Sequence, residues 1–193
     1  MPHLNTDVSA IVSKIPRDKL LILDSDIPRL SSNGYAAVYQ DFEKDVIENL
    51  QKALPWIKKY KNLHLVLGRD HLQFVPAPFI KGYKKFCKIK RIPGKIMDTL
   101  EEKNIHAGDA YLTIHDFDNV NFIKYCEKKK WKSGKDIGLI SLDDSPFREI
   151  LAGGITVIST DFEKMGISAG QLIKEKRIEK IANPSMFIKR KTL

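Results

Sequence analysis

The sequence predicts an α/β fold built on mostly parallel sheets. Short apolar runs of strand length alternate with amphipathic stretches of helix length along nearly the whole chain. Several of the apolar runs stop abruptly at a polar residue, as in LLILD, YLTIH and GLISLDD. Glycine, proline and serine clusters punctuate these runs, with no internal repeat and no low-complexity linker.

Taken in order, Asn5 or Thr6 caps a helix reaching Ile15. Leu20 to Leu23 is a strand ended by Asp24, and Ser31, Ser32, Asn33 and Gly34 make a turn. Tyr35 to Tyr39 is the next strand. Asp41 then caps a long helix to about Lys59, with Phe42, Val46, Ile47 and Leu50 at helical spacing and Pro55 expected to kink or split it. Leu63 to Leu67 reads as a strand ending at Gly68, and Pro76 and Pro78 lead a helix from Phe79 to Ile89. Ile96-Met97 is a short strand, Glu101 to Ile105 a weak helical turn, and Ala110 to Ile114 a strand ending at His115. Asn119 to Lys130 is a helix closed near Gly134. Ile137 to Leu142 is a buried strand, followed by Asp143, Asp144 and a helical turn started by Pro146. A second apolar strand ends at Thr160, Asp161 starts a helix through Lys174, and Met186 to Ile188 is a last strand.

Composition bounds the rest. At 193 residues, 42% hydrophobic and 30% charged, the chain buries a real core as one domain or two small lobes. No stretch approaches the roughly 20 apolar residues of a membrane span, and MPHLNTDVSA has no signal-peptide pattern. Cys87 and Cys126 have neither CxxC spacing nor a disulfide framework, so a reducing cytoplasm is expected and each reads as a packing residue. The net charge of +9 is clumped: residues 81–95 hold seven basic residues and no acid, and residues 124–135 hold six lysines against Glu127. A basic surface attracts nucleic acid, but no aromatic stacking run is interleaved here, and a solvated lysine-rich helix face is the plainer reading.

The most informative stretch is Asp136 to Phe162. Ligands of open α/β sheets bind where strands run out at their carboxyl ends, and three strands here run out at Asp24, at His115 and at Asp143-Asp144. Any single Asp after a strand is equally a helix cap or turn former. The five histidines show no metal-binding spacing, and Gly153-Gly154 lacks the pattern of a phosphate loop, so neither a metal nor a cofactor is expected.

From about Lys132 to Leu193 the chain resembles the effector domain of LacI/GalR-type repressors. The matching motifs are Gly134-Lys135-Asp136-Ile137, Asp143-Asp144, Gly154-Ile155-Thr156-Val157, Asp161-Phe162 with Gly166, and the ending Ile188-Lys189-Arg190-Lys191-Thr192-Leu193. Asp24, Val38 with Asp41, Gly68 and Gly82-Tyr83 follow the same order upstream. The wording ILAGGITVISTDFEKMG is similar to regulators that fuse a GntR-type winged helix to a LacI-like sugar sensor. The resemblance implies a periplasmic-binding-protein-like fold: a partial, truncated first lobe from residues 1–40 plus 161–180, and a second lobe from 41–160 plus 184–193. It implies a sugar effector closing the cleft between lobes, DNA contacted only through an amino-terminal winged helix missing here, a homodimer, and no membrane association.

By resemblance the ligand residues are Asp143 and Asp24, which accept bonds from sugar hydroxyls, His115 and Asp116, and Phe162 and Phe79, which stack on the apolar sugar face. Two departures stand out. Phe79 occupies a position where the family often has Arg, and His115-Asp116 stands where it has Asn-Asp. The rival reading is an enzyme. LLILDSD resembles the first motif of haloacid-dehalogenase-type phosphatases, with Asp24 as nucleophile, Asp26 as general acid/base and Asp143 and Asp144 on Mg²⁺. Against it, Ile27-Pro28 stands where that family has Gly-Thr or Gly-Val. A response-regulator receiver needs its acidic pair early, whereas here it is late.

Overall fold

The computed structural model describes residues 9–26, 34–68 and 75–193. They form α1 (Ser9–Val12), β1 (Leu21–Asp24), β2 (Ala36–Tyr39), α2 (Phe42–Ile57), β3 (Asn62–Val66), α3 (Ala77–Lys90), β4 (Ile96–Met97), β5 (Asp109–Thr113), α4 (Asp116–Lys129), β6 (Gly138–Leu142), α5 (Pro146–Ile150), β7 (Thr156–Thr160), α6 (Phe162–Glu175), β8 (Lys180–Ala182) and β9 (Ser185–Ile188). The chain divides into two compact units. Of the described residues, one unit takes those up to Asp41 with Thr160–Ser185, and the other takes Phe42–Ser159 with Met186–Leu193.

The larger unit is a six-stranded sheet in the order β4-β3-β5-β6-β7-β9. The pairs from β4 across to β7 are all parallel. Successive side chains of a strand point to opposite faces, and both faces here are covered, so the strands read as near-continuous apolar runs. On one face Leu63, Leu65, Ala110, Leu112, Ile140 and Ile158 pack under α2 and α3. On the other, Val66, Tyr111, Leu139 and Val157 pack with Phe122 and Cys126 of α4. Helix α3 buries Phe79, Gly82, Tyr83 and Phe86 at helical spacing. Gly82 is required by closeness: a Cβ there would sit 2.3 Å from Val46 Cγ1 on α2. The Tyr83 hydroxyl donates to the Leu63 carbonyl at 2.6 Å, locking α3 to β3.

The smaller unit is a parallel three-stranded sheet, β1-β2-β8. Met165, Ala169 and Leu172 of α6 pack on Ala36 and Val38, while Leu20, Tyr35 and Ala37 form a second cluster with Val12 and Ile22.

Several elements differ from expectation. The helix ending at Ile15 stops at Val12, and its Asn5 or Thr6 cap lies outside the described residues, as do Ser31 to Asn33 of the expected turn. Pro55 does not split α2, which is a single helix through Ile57. Pro removes one backbone bond, and the burial of Leu50, Ala53, Leu54 and Ile57 outweighs that loss. Glu101 to Ile105 holds a hydrogen-bonded turn, Asn104 N–H to Glu101 O at 2.9 Å, and no helix. Helix α4 begins three residues earlier than expected, with Asp116 and Asp118 in its first turn, where acids favour a helix start. Strand β8 was not anticipated, because Lys180-Ile181-Ala182 carries only one apolar β-branched residue.

Candidate ligand-binding site

The order of the six-stranded sheet fixes where a ligand is best placed. From β3 the chain passes to β4 on one side and then to β5 on the other, so the switch point lies between the carboxyl ends of β3 and β5. Crevices at such points are the usual ligand sites of open α/β sheets. Gly68 follows β3 and His115 follows β5, and the two touch: with φ at +92°, Gly68 is so placed that a Cβ would lie 2.1 Å from His115 Cδ2. His115 occupies the N-cap position of α4 without making a side-chain cap bond. Its Nε2 is buried and has no hydrogen-bond partner among the described residues.

The next strand end carries the acidic pair. Asp143 has φ of +60°, a left-handed conformation that Asp and Asn tolerate better than other side chains. Its N–H donates to the Ile158 carbonyl at 2.8 Å, which fastens it to β7. Its carbonyl accepts from Arg148 Nη1 at 2.6 Å, and Arg148 Nη2 donates to Asp116 Oδ1 at 2.8 Å. Arg148 is only 7% exposed and thus ties the loop after β5 to the loop after β6. Behind it, buried Asn119 accepts from Thr113 Oγ1 at 2.6 Å and donates to Ser141 Oγ at 3.0 Å.

Asp144 is held differently. Arg190 grips its carboxylate with two parallel bonds of 2.7 Å, a geometry that favours the charged form. That guanidinium, first among the causes, holds the Asp144 carboxyl below the usual range, and the pairing raises Arg190 in turn. The Asp144 N–H donates to Ser159 Oγ at 3.0 Å.

In the smaller unit the strand ends gather a second polar set. Asp24, at φ +75°, ends β1. Gln40 follows β2, donates through Nε2 to Asp24 Oδ1, and accepts from Thr160 Oγ1 at 2.5 Å. Buried Asn183 follows β8; its N–H donates to the Tyr39 carbonyl at 2.7 Å and its Nδ2 to the Asp161 carbonyl at 3.0 Å. Asp161 caps α6 by accepting from Lys164 N–H at 2.8 Å, leaving Phe162 at the helix start 53% exposed.

Of the expected ligand residues, His115, Asp116 and Asp143 therefore share one edge, whereas Asp24 and Phe162 belong to the smaller unit. Phe79 corrects an expectation: it is 3% exposed and enclosed in the core with Val46, Leu50 and Tyr83, so its ring is a packing element and not an offered stacking face. The phosphatase arrangement is not supported by the geometry. Asp24 and Asp143 end strands of different sheets, Asp144 is engaged by Arg190, and Asp26 is paired with Lys180 at 2.9 Å. Among the described residues no three His, Cys, Asp or Glu side chains gather as a metal would require.

Sequence reasoning missed Gln40, Arg148 and Arg190. In PFREI the apolar residues look like the buried ones, yet Phe147 and Ile150 are each 72% exposed and Arg148 is buried. A lone Arg in an apolar stretch beside an acidic pair was the available signal.

No family model and no curated protein matches this sequence. Solved structures do. A LacI family transcriptional regulator from Lactobacillus casei, with bound glucose, superposes with a TM-score of 0.71 at 13% identity, over 96% of this chain and 74% of that one. The lactose repressor bound to an anti-inducer gives 0.67 at 17% identity, over 89% and 68%. A protein from Actinobacillus succinogenes gives 0.69 at 16%, over 89% and 68%. At such identities the likeness speaks for the fold, and the fold of this chain is the periplasmic-binding-protein-like one of LacI-type regulators, with parallel-sheet lobes.

Proposed function

We propose that this chain is the sugar-sensing, effector-binding part of a transcription regulator and acts by binding, without turnover. The observation that carries the reading is the polar edge at the switch point of the six-stranded sheet, where a buried Arg148 holds Asp116 and Asp143 and His115 packs against Gly68. A neutral sugar presents hydroxyl pairs, and carboxylates and imidazole at a fixed edge match them. The fold shared with a glucose-bound regulator supports the same reading. Asp24 and Phe162 of the smaller unit are the proposed second half of the site, and the ligand is proposed to favour a closed arrangement of the two lobes. Only a difference in affinity between open and closed forms can drive that shift.

DNA contact is assigned to a winged-helix module joined to the amino-terminal side, and a cytoplasmic location follows from that role. Among the described residues no helix is long and apolar enough to cross a membrane. We assign a homodimer to the face beside the Arg148 tie, where Phe117 (70%) and Phe147 and Ile150 (72% each) stand exposed, an apolar display that normally marks an interface.

The test is a calorimetric titration of the chain with neutral pentoses and hexoses, D-glucose included. A saturable heat with one of them, lost in Asp143→Asn, is the expected result. Asn keeps the left-handed backbone while removing the charge, so unchanged binding in that variant removes Asp143 from the site. Silence across the panel, alongside Mg²⁺-dependent phosphate release that disappears in Asp24→Asn, would establish the enzyme instead.

A further inference from the structure

Helix α3 carries a row of cations that nothing in the sugar-sensing role uses. Lys81 and Lys85 are neutralised by Glu43 of α2 at 2.8 and 3.5 Å, which holds the Glu43 carboxyl below its usual range. Lys84, Lys88 and Arg91 are not so placed. They are exposed, and among the described residues they have no ion-pair partner. Lys84 and Lys88 lie at i and i+4 on one face of the helix, and Arg91, its left-handed C-cap residue, follows just past the helix end. Like charges at i and i+4 destabilise a helix. Cations in the last turn favourably offset the helix dipole, a role open to Lys88 and Lys90 but not to Lys84, which lies a turn earlier.

These three cations border a shallow groove of about 570 Å³ whose other wall is the segment Ile92–Ile96. Half-buried Ile92 and Ile96 give it an apolar side. Strand β4, where that segment ends, is an edge strand of the six-stranded sheet. The carbonyls of Pro93, Lys95 and Met97 accept from β3 at 2.8–2.9 Å, so the alternate peptide groups, those of Gly94 and Ile96, turn to the open side. An open sheet edge is a template for another strand.

We propose that this groove is a docking surface for an extended acidic peptide segment of a partner protein, added as a strand along β4 with its carboxylates on Lys84, Lys88 and Arg91. Spacing and polarity both fit. Alternate side chains of an extended chain repeat at about 7 Å, and Lys84 and Lys88 are offset by about 6 Å along the helix. The intervening aliphatic side chains then point to the opposite face of the sheet, the one on which Met97 packs. A peptide fits better than nucleic acid because the groove offers no exposed aromatic ring for base stacking; its one ring, Tyr83, is buried.

The experiment uses the full chain and a fluorescein-labelled octapeptide alternating glutamate with valine, read by anisotropy. Saturable binding is expected, weakened at least tenfold by the combined Lys84→Glu, Lys88→Glu and Arg91→Glu changes. It is expected to be unaffected by Lys128→Glu with Lys129→Glu, which lie on α4 and are paired with Glu102. The same peptide N-methylated at alternate residues loses its strand donors and is expected to bind at least fivefold more weakly. No binding of the octapeptide, equal binding by the charge-reversed protein, or equal binding by the methylated peptide overturns the proposal. Tighter binding of a 20-base-pair duplex than of the peptide also overturns it, in favour of nucleic acid.

Discussion

Asp24 and Asp143 end strands in the same backbone shape but in different company. Both adopt positive φ, 75° and 60°, so part of the reason for Asp at each place is conformational. Asp24 is exposed, in a small three-stranded unit, and its side chain is tied by a neutral amide, Gln40. The carbonyl of Asp143 is fixed by a buried guanidinium, and its neighbour Asp144 by a second one, on a sheet packed on both faces. The contrast teaches where rigidity resides. The edge of the large sheet is fastened by two guanidinium ties, and the edge of the small sheet by a neutral amide.

The sharpest way to break this contrast is to disturb the large edge where it has no slack. Gly68→Ala places a methyl at φ +92° against His115 Cδ2. Left-handed strain and overpacking each cost about 1–3 kcal/mol. A loss near 3 kcal/mol in urea unfolding is expected, together with loss of ligand binding. A loss below about 1 kcal/mol would mean that His115 has room to move and that the edge is not preformed.

Arg148→Met comes next. It keeps the length of the buried stem and removes both donors, leaving the Asp143 carbonyl and the Asp116 carboxylate without them. Asp116 is largely exposed and regains water, so the loss falls short of a fully buried broken pair, at about 2 kcal/mol. Sugar affinity is expected to drop by at least tenfold, more than stability alone predicts, because two loops are released together. Equal stability of variant and wild type would remove Arg148 as the cross-tie.

Asp144→Asn is expected to cost about 1–2 kcal/mol at neutral pH, since Arg190 keeps its charge and loses its partner. The pH dependence has a definite sign. The folded carboxyl lies below its ordinary value because of Arg190, so its contribution is full above the ordinary Asp value of about 3.9. It is lost as pH falls through that value toward the depressed one. Wild type and variant therefore converge in stability below about pH 4. A constant difference down to pH 2 would show that the Asp144 pairing with Arg190 is not its source.

The same contrast explains what could be read from the chain beforehand. The strands of the large sheet were legible because burial on both faces leaves near-continuous apolar runs such as Ile137 to Leu142, broken only by Gly138 and Ser141. Strand β8 was illegible because its burial is partial and its flanks are charged. The strand-end residues His115, Asp116 and Asp143 were legible as polar stops. Arg148 and Gln40 were not, because their roles come from tertiary contacts across 32 and 120 residues of sequence, which no local spacing encodes. Phe79 was misjudged for a related reason: an aromatic near a helix start looks the same whether its ring faces a cleft or a core.

The smallest expected effects lie on the small edge, and they separate folding from function. Gln40→Ala removes one donor to Asp24 and one acceptor from Thr160 Oγ1, at a cost of about 1 kcal/mol. Asp24→Asn keeps the left-handed backbone and a side-chain oxygen, and because the residue is exposed the cost should stay within about 0.5 kcal/mol. If Asp24 grips a hydroxyl of the ligand, this nearly silent substitution still weakens sugar binding by at least tenfold, since a charged acceptor has become a neutral one. Binding unchanged at unchanged stability would leave Asp24 as a turn residue chosen for its φ. The ligand would then be recognised by the large edge, with Phe162 as the small unit's contribution.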